Sequence, residues 1–392
     1  MSSNLVSIAK GIDSYATALE ALRGLGPVPV EGRRVLLKPN IARVLPHTSG
    51  ANTNPQVVAA AMDYFKENGA AEVVVGESPI TGVRMSESFE INGIKEIAAE
   101  RGVSLLDFDA NPCQELAIPK GKVVDRIKVT QFWQDYDLVV SIPAMKTHMH
   151  TGVTLAVKNM KGLLWKKQKV AFHQLHAPEG LLQGTEKELD LAIADMSTVL
   201  YPHMAIVDGT VGMEGLGPGA GRPKGANLVV ACLDALAADW ISCRLMGIEP
   251  QNVAHLRLAA DRRGFDPADI KCRPADYQRW VTPFARPPEK ICFRYLGVTV
   301  HDQDSCSACQ NTLYLFLEKY HHMLRPAFGG SETLHLALGK GVADLPPGTI
   351  YVGNCCCHLP GAENGIKVVG CPPVASQIRE KIQVLPENGD LA

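Results

Sequence analysis

PQVVAAAMDYFKENGAAEVVVG, residues 55–76, decides the fold class. Pro55 opens the stretch, apolar residues recur at helical spacing, and Gly69 ends it, so 55–69 reads as a helix. The short β-branched run EVVVG at 72–76 then reads as a buried strand. Working outward, RVLLK (34–38), DLVVSIP (137–143), AIVDG (205–209) and NLVVAC (227–232) have the same strand character. SESFEINGIKEIAAERG (86–102), LDLAIADMSTVLY (189–201) and DALAADWISCRLMG (234–247) read as helices. Short apolar strands alternating with helices predict an α/β protein. Its sheet is mostly parallel and Rossmann-like, with helices on both faces.

Residues 261–290 are rich in Pro, Arg and Asp and show no period, so they read as a connector. It separates an α/β domain (1–260) from a small α+β cysteine-rich module (291–392). In that module 295–300, 349–353 and 366–370 read as strands, and 311–324 and 373–385 as helices.

Bulk properties narrow the function. The 392 residues are 46% hydrophobic and 20% charged, with a net charge of −2. That composition predicts a sizeable core and argues against a broad nucleic-acid-binding face. The N-terminus lacks the charged and apolar regions of a signal peptide. Apolar runs are broken by acids well before ~18 residues, so no membrane span is expected. The expectation is a soluble cytoplasmic protein. Eleven cysteines in such a chain point to metal or redox work rather than disulfides.

In parallel sheets ligands bind at the carboxyl ends of strands, and polar clusters stand there. After 34–38 come Lys38, Asn40 and, further on, Thr53. After 137–143 comes AMKTHMHTGVTLAVKNMKGLL, with Lys146, His148, His150, Thr151, Lys158, Asn159 and Lys161. After 205–209 comes DGTVGMEGLGPGAGRP, with Asp208, Glu214 and six glycines, Gly215 and Gly217 among them. Lysines, Thr and Asn donors and glycine-exposed amides make an anion cradle. Lys38, Asn40, Thr53, Thr151, Lys158, Asn159, Gly215 and Gly217 are its candidate binding residues. Lys146, His148, Asp208 and Glu214 are the candidate acid–base groups. The glycine loop fits neither a P-loop nor a dinucleotide fingerprint.

The blocks VLLKPN, TNPQVV, SIPAMKTHMHTGVTLAVKNMKGLL and DGTVGMEGLGPGAGRP, in this order, resemble the signature blocks of the DUF362 family. The resemblance covers roughly residues 30 to 250. It implies the same fold and a pocket built by Lys38, Lys146, His148, Lys158, Asn159, Asp208 and Glu214. Family members often carry iron–sulfur motifs, commonly a ferredoxin-like pair of clusters. This chain departs from them, having no C-x2-C-x2-C-x3-C-P run. The family's function is unassigned, so the resemblance implies no reaction.

Six cysteines fall between 306 and 371. Cys306 and Cys309 form a C-x2-C pair at a helix start; Cys355 and Cys371 each follow a strand. Two strand ends and one helix start bring four thiolates to one cofactor, either a [4Fe–4S] cluster or zinc. Cys356 or Cys357 stands as an alternative to Cys355. The GCPP turn with an upstream C-x2-C is similar to the cluster motif of the small electron-transfer subunits of complex I and nickel–iron hydrogenases.

Three functions fit. One is an iron–sulfur oxidoreductase or electron-transfer protein with an anionic small-molecule substrate and a redox partner protein. Another is a non-redox enzyme with a structural or Lewis-acid cluster. The third is a cluster or metal carrier.

Overall fold

The computed structural model describes residues 4–80, 83–166, 168–178, 180–184, 186–324 and 333–383. The chain divides into two compact units: Met1–Lys169 with Asp190–Arg286, and Val170–Leu189 with Pro287–Ala392.

The chain begins β1 (Leu5–Lys10), α1 (Ser14–Arg23), β2 (Arg34–Pro39), α2 (Pro55–Glu67) and β3 (Glu72–Glu77). Next come α3 (Met85–Asn92), α4 (Ile94–Glu100), β4 (Ser104–Asp107), β5 (Cys113–Ala117) and β6 (Arg126–Thr130). They are followed by β7 (Leu138–Ile142), β8 (Ala144–His148), β9 (Gly152–Thr154), α5 (Ala156–Asn159), α6 (Gln168–Ala171) and α7 (Glu188–Met196). Then come β10 (Met204–Glu214), β11 (Arg222–Lys224), β12 (Leu228–Cys232), α8 (Ala235–Leu245), α9 (Ala254–Arg263) and β13 (Lys271–Arg273).

The main sheet of the first unit runs β13-β1-β12-β10-β7-β2-β3-β4. From β10 to β4 every join is parallel. The expected parallel sheet is therefore present, with antiparallel joins on one side, where β12 pairs with both β1 and β10. A hairpin, β8–β9, is attached alongside β10.

Helix α2 shows why these segments fold as they do. Asn54 caps it by accepting from Gln56 N–H, and Pro55 fills the first turn, where no amide is needed. Its inner face buries Val57, Val58, Ala61, Met62 and Phe65 completely. Each large side chain buried this way contributes about 1.5–3 kcal/mol.

Three segments differ from the sequence reading. Residues 86–102 form two helices, because Gly93 takes a left-handed φ of 88° and ends α3. The helix expected over 189–201 stops at Met196. Residues 261–290 are more than a connector: they complete α9 and supply β13, which pairs in parallel with β1.

The second unit contains β14 (Val298–Asp302), α10 (Ser307–Tyr320), β15 (Leu334–Leu338), β16 (Ile350–Val352), α11 (Asn354–Cys357), β17 (Ile366–Val368) and α12 (Ala375–Gln383). Its sheet runs β14-β15-β16-β17 and all three joins are parallel. The expected α+β arrangement is thus a parallel α/β one, with helices interleaved between strands. Leu313, Phe316 and Leu317 of α10 pack with Leu336, Ile350 and Ile378 in its core. Residues 384 and 385 of the expected last helix lie outside the described residues.

Candidate functional site

Two groups of side chains carry chemistry, one in each unit.

In the first unit Lys38, next to last in β2, and Glu77, last in the neighbouring parallel strand β3, meet at the carboxyl edge of the sheet. Lys38 is fully buried. Its Nζ donates to Glu77 Oε2 at 2.6 Å, Asn159 Oδ1 at 3.1 Å and the Pro39 carbonyl at 2.9 Å. Asn159 returns two bonds through Nδ2, to the Lys38 carbonyl and to Ser141 Oγ, each 3.0 Å. Gly162 closes the space: a Cβ there would lie 2.3 Å from Glu77 Oε1 and 2.5 Å from Lys38 Nζ.

Lys146, on β8, is 2% exposed. Its Nζ donates to Asn40 Oδ1 at 2.5 Å and the Ala51 carbonyl at 2.6 Å, both neutral acceptors. Burial, with help from the Arg43 charge, lowers its pKa to about 7. Lys161 is lowered to about 7 by burial and by Lys169. Lys158 is lowered well below its usual value by burial, then by Lys161 and Lys146. Lys38 is lowered by burial and partly restored by Glu77.

Helix α5, which carries Lys158 and Asn159, is held from behind. Asp239 of α8 accepts from the Ala156 and Val157 amides at 2.7 and 2.9 Å, satisfying the helix's first N–H groups. Burial raises this carboxyl to about 8. Sequence reasoning missed Asp239. Its one signal was an acid in the middle of an otherwise apolar helix. Arg43 and Lys169 were also missed as site residues, as was the pairing of Glu77, which follows the strand expected at 72–76, with Lys38.

The remaining expected residues have other partners. His148 Nδ1 accepts from the His150 and Thr151 amides at 3.0 and 3.3 Å, which places its ring proton on Nε2 and builds the hairpin turn. Thr151 donates to the Val153 carbonyl, and Thr53 to the Ile142 carbonyl while accepting from the Asn40 amide. Asp208 is fully buried and accepts from the Asn54 amide and from the Thr210 amide and hydroxyl. Burial raises it to about 6 against those bonds. Glu214 accepts from the Ala285 amide and stands 3.7 Å from Arg222. The Gly215 and Gly217 amides donate to the Ala285 and Gly215 carbonyls, so neither is open to an anion. Lys38, Asn40, Lys146, Lys158 and Asn159 come together; Asp208, Glu214, Gly215 and Gly217 serve the backbone around them.

In the second unit Cys306 caps α10 and Cys309 lies in its first turn. The Cys309 thiol hydrogen-bonds Cys306, lowering Cys306 to about 6. Cys309 is raised, first by that bond and by burial, then by Cys306, Cys371 and Cys355. The four sulfurs therefore share one electrostatic neighbourhood. Cys355 is the second residue of α11, and Cys371 donates its amide to the His173 carbonyl at 2.8 Å. Asn354 ties the two loops together, donating to the Gly370 carbonyl and accepting from the Gly370 amide.

Gly353 has a φ of 102°, and a Cβ there would lie 2.9 Å from Cys309 Sγ, so only glycine lets α11 approach this sulfur. Glu188, 5% exposed, was not foreseen. The Cys371 thiol hydrogen-bonds its carboxylate, and Glu188 Oε2 has no hydrogen-bond partner among the described residues.

The cysteine triplet resolves clearly. Cys356 and Cys357 are buried beside Ala337, Val342 and Tyr351, and their thiols donate to the Val352 and Tyr351 carbonyls at 3.3 Å. Cys355 is exposed and feels Cys306. Among the described residues no three His, Cys, Asp or Glu side chains already close on a single point as a metal-ion site does. The donor set still suits a soft, thiolate-bound group. It combines four thiols, a glycine-shaped gap and a buried carboxylate oxygen. A cavity of about 610 Å³ beside Val342, Tyr351 and Asn364 includes none of these thiols.

Among the described residues no helix is long and apolar enough to cross a membrane. A family described as a domain of unknown function (DUF362) matches residues 35–244, a span that holds the lysines and ends before Cys306. A thylakoid-associated protein of Synechocystis sp. is 26% identical over 254 residues, 65% of this chain and 75% of the relative. The structure of the lactate racemase apoprotein from Thermoanaerobacterium thermosaccharolyticum is similar at a TM-score of 0.41 and 11% identity. That similarity covers 63% of this chain and 59% of the other.

Proposed function

The chain belongs to the DUF362 family, and from that premise we propose that it is an iron–sulfur protein acting on an anionic small molecule. The observation that carries the reading is the mutual influence of Cys306, Cys309, Cys355 and Cys371 in the second unit. These four would hold a [4Fe–4S] cluster, which when bound supplies one-electron transfer. Cys306, already acidified by Cys309, is the thiol most ready to bind as thiolate. Burial of Cys356 and Cys357 under the α11 backbone leaves Cys355 as the third ligand. The first unit would bind the substrate through its lysine cluster. A redox partner protein and a cytoplasmic setting belong to the same proposal.

Anaerobic purification followed by iron and acid-labile sulfide assays tests it. The expected protein is brown, holds iron and sulfide in equal amounts, and bleaches with dithionite. A colourless protein that holds one zinc per chain after anaerobic expression with iron would overturn it.

A further inference from the structure

We propose that the lysine cluster of the first unit is a site for a phosphoryl-bearing small molecule carrying at least two negative charges. This rests on the reading above that the first unit binds an anion, and it goes further by naming the ligand class.

The argument is one of charge in a confined space. Lys38 and Lys169 are matched by contact, to Glu77 at 2.6 Å and Asp109 at 2.9 Å. Lys146 is held only by an amide oxygen and a carbonyl. No ion pair to Lys158 or Arg43 occurs among the described residues, and the carboxylate that Lys158 feels, Asp190, stands 3.9 Å from His255. With both lysines protonated, Lys146, Lys158 and Arg43 would carry three charges against the single carboxylate Asp190, an excess of at least two. Lys146 is buried while Lys158 and Arg43 are half-buried, and proteins rarely bury a charge such as that of Lys146 without a charged partner. Burial first, and the neighbouring cations second, lower the pKa values of Lys146 and Lys158.

The backbone keeps these cations close. Asn159 binds Lys38 directly, and Asp239 fixes the start of the helix that carries Lys158. The glycine loop helps by packing on Arg43: a Cβ at Gly219 would lie 2.8 Å from the guanidinium carbon. Glycines read from sequence as an amide cradle thus leave room for an arginine. Lysine ammonium groups act as point charges around a tetrahedral dianion, with one guanidinium to add a fork.

Isothermal titration of the full chain with pyrophosphate, inorganic phosphate and acetate, at fixed ionic strength, tests this. Pyrophosphate is expected to bind about tenfold or more tighter than acetate. Lys158→Met is expected to weaken pyrophosphate about tenfold or more while leaving the thermal midpoint unchanged or raised, because it removes a repelling charge. A lysine with a merely structural role would lower the midpoint instead. Acetate binding as tightly as pyrophosphate overturns the phosphoryl assignment and leaves the anion reading standing. Pyrophosphate affinity unchanged in Lys158→Met also overturns the assignment. No binding of any of the three anions overturns both.

Discussion

Gly162→Ala probes the lysine cluster at its tightest point. The backbone at Gly162 lies outside the left-handed region, so the substitution adds a methyl group and little else. That carbon would lie 2.3 Å from Glu77 Oε1 and 2.5 Å from both Cε and Nζ of Lys38. Non-bonded carbon contacts are most favourable at about 3.5–4.0 Å, so about 1 Å of overlap must be relieved. A flexible lysine would normally swing away. This one is fully buried and held by three acceptors, so it moves only by giving up Glu77. Overpacking alone costs about 1–3 kcal/mol, and separating a buried pair costs about 3–5 kcal/mol. Urea unfolding followed by circular dichroism should therefore show a loss of about 3 kcal/mol or more, at constant m-value. Gly225→Ala is the control: its new Cβ meets nothing nearer than Asn227 Oδ1 at 3.7 Å. The control should fall within about 1 kcal/mol of the parent. A loss below about 1 kcal/mol at Gly162 would refute the claim that the pair is rigidly held.

Further outcomes follow from the same geometry. Lys146 and Lys161 have pKa values lowered to about 7, so the ligand-free fold sheds protons that the unfolded chain keeps up to its ordinary value. Stability should then rise with pH above about 8, by about 1.4 kcal/mol per pH unit for each such lysine. The Lys146→Met variant should lose one such increment in urea titrations, and an unchanged slope would count against the shift. Asp239, near 8, and Cys306, near 6, titrate in the same region and are common to both proteins. Cys371→Ser should lose iron on anaerobic purification, whereas Cys356→Ser should retain it; the reverse pattern would reassign the triplet. Asp239→Ala leaves the Ala156 and Val157 amides without their acceptors and should weaken pyrophosphate binding along with stability, by about 1–3 kcal/mol in the latter. Glu188→Gln removes a negative charge beside Cys371 and should raise the reduction potential in a titration followed by electron paramagnetic resonance.

Much of the fold was legible because buried parallel strands are short apolar runs, and β2, β3, β7 and β12 all have that form. The misses have physical reasons. Lys271–Arg273 has no apolar run, since an edge strand of three residues needs only its backbone to pair with β1. Gly93 interrupts an amphipathic stretch whose apolar spacing continues across it, so the pattern hid the break. At the site, residue types singled out lysines that the fold brings together, but not the partners of each. His148 looked like an acid–base group, yet its Nδ1 is engaged by amides, and amides carry no sequence signal. The cysteine triplet was ambiguous until its helical state was known. Successive residues of a helix are turned by about 100°, so Cys356 and Cys357 face the core while Cys355 faces away.

Burial alone does not separate a structural lysine from a ligand-binding one; the partner does. Lys38 and Lys146 are about equally hidden. Lys38 has a carboxylate at 2.6 Å, so its charge is answered within the fold, and truncating it leaves Glu77 buried without its counter-charge. Such a loss costs about 3–5 kcal/mol. Lys146 has two neutral acceptors, and burial and the Arg43 charge disfavour its protonated form. Under the phosphoryl-site proposal, a dianion would supply charge beside Lys146 and favour its protonated form. In the same lysine-rich segment Asn159 and Gly162 secure the Lys38–Glu77 pair, whereas Lys158 stands among like charges with Asp190 as the carboxylate it feels.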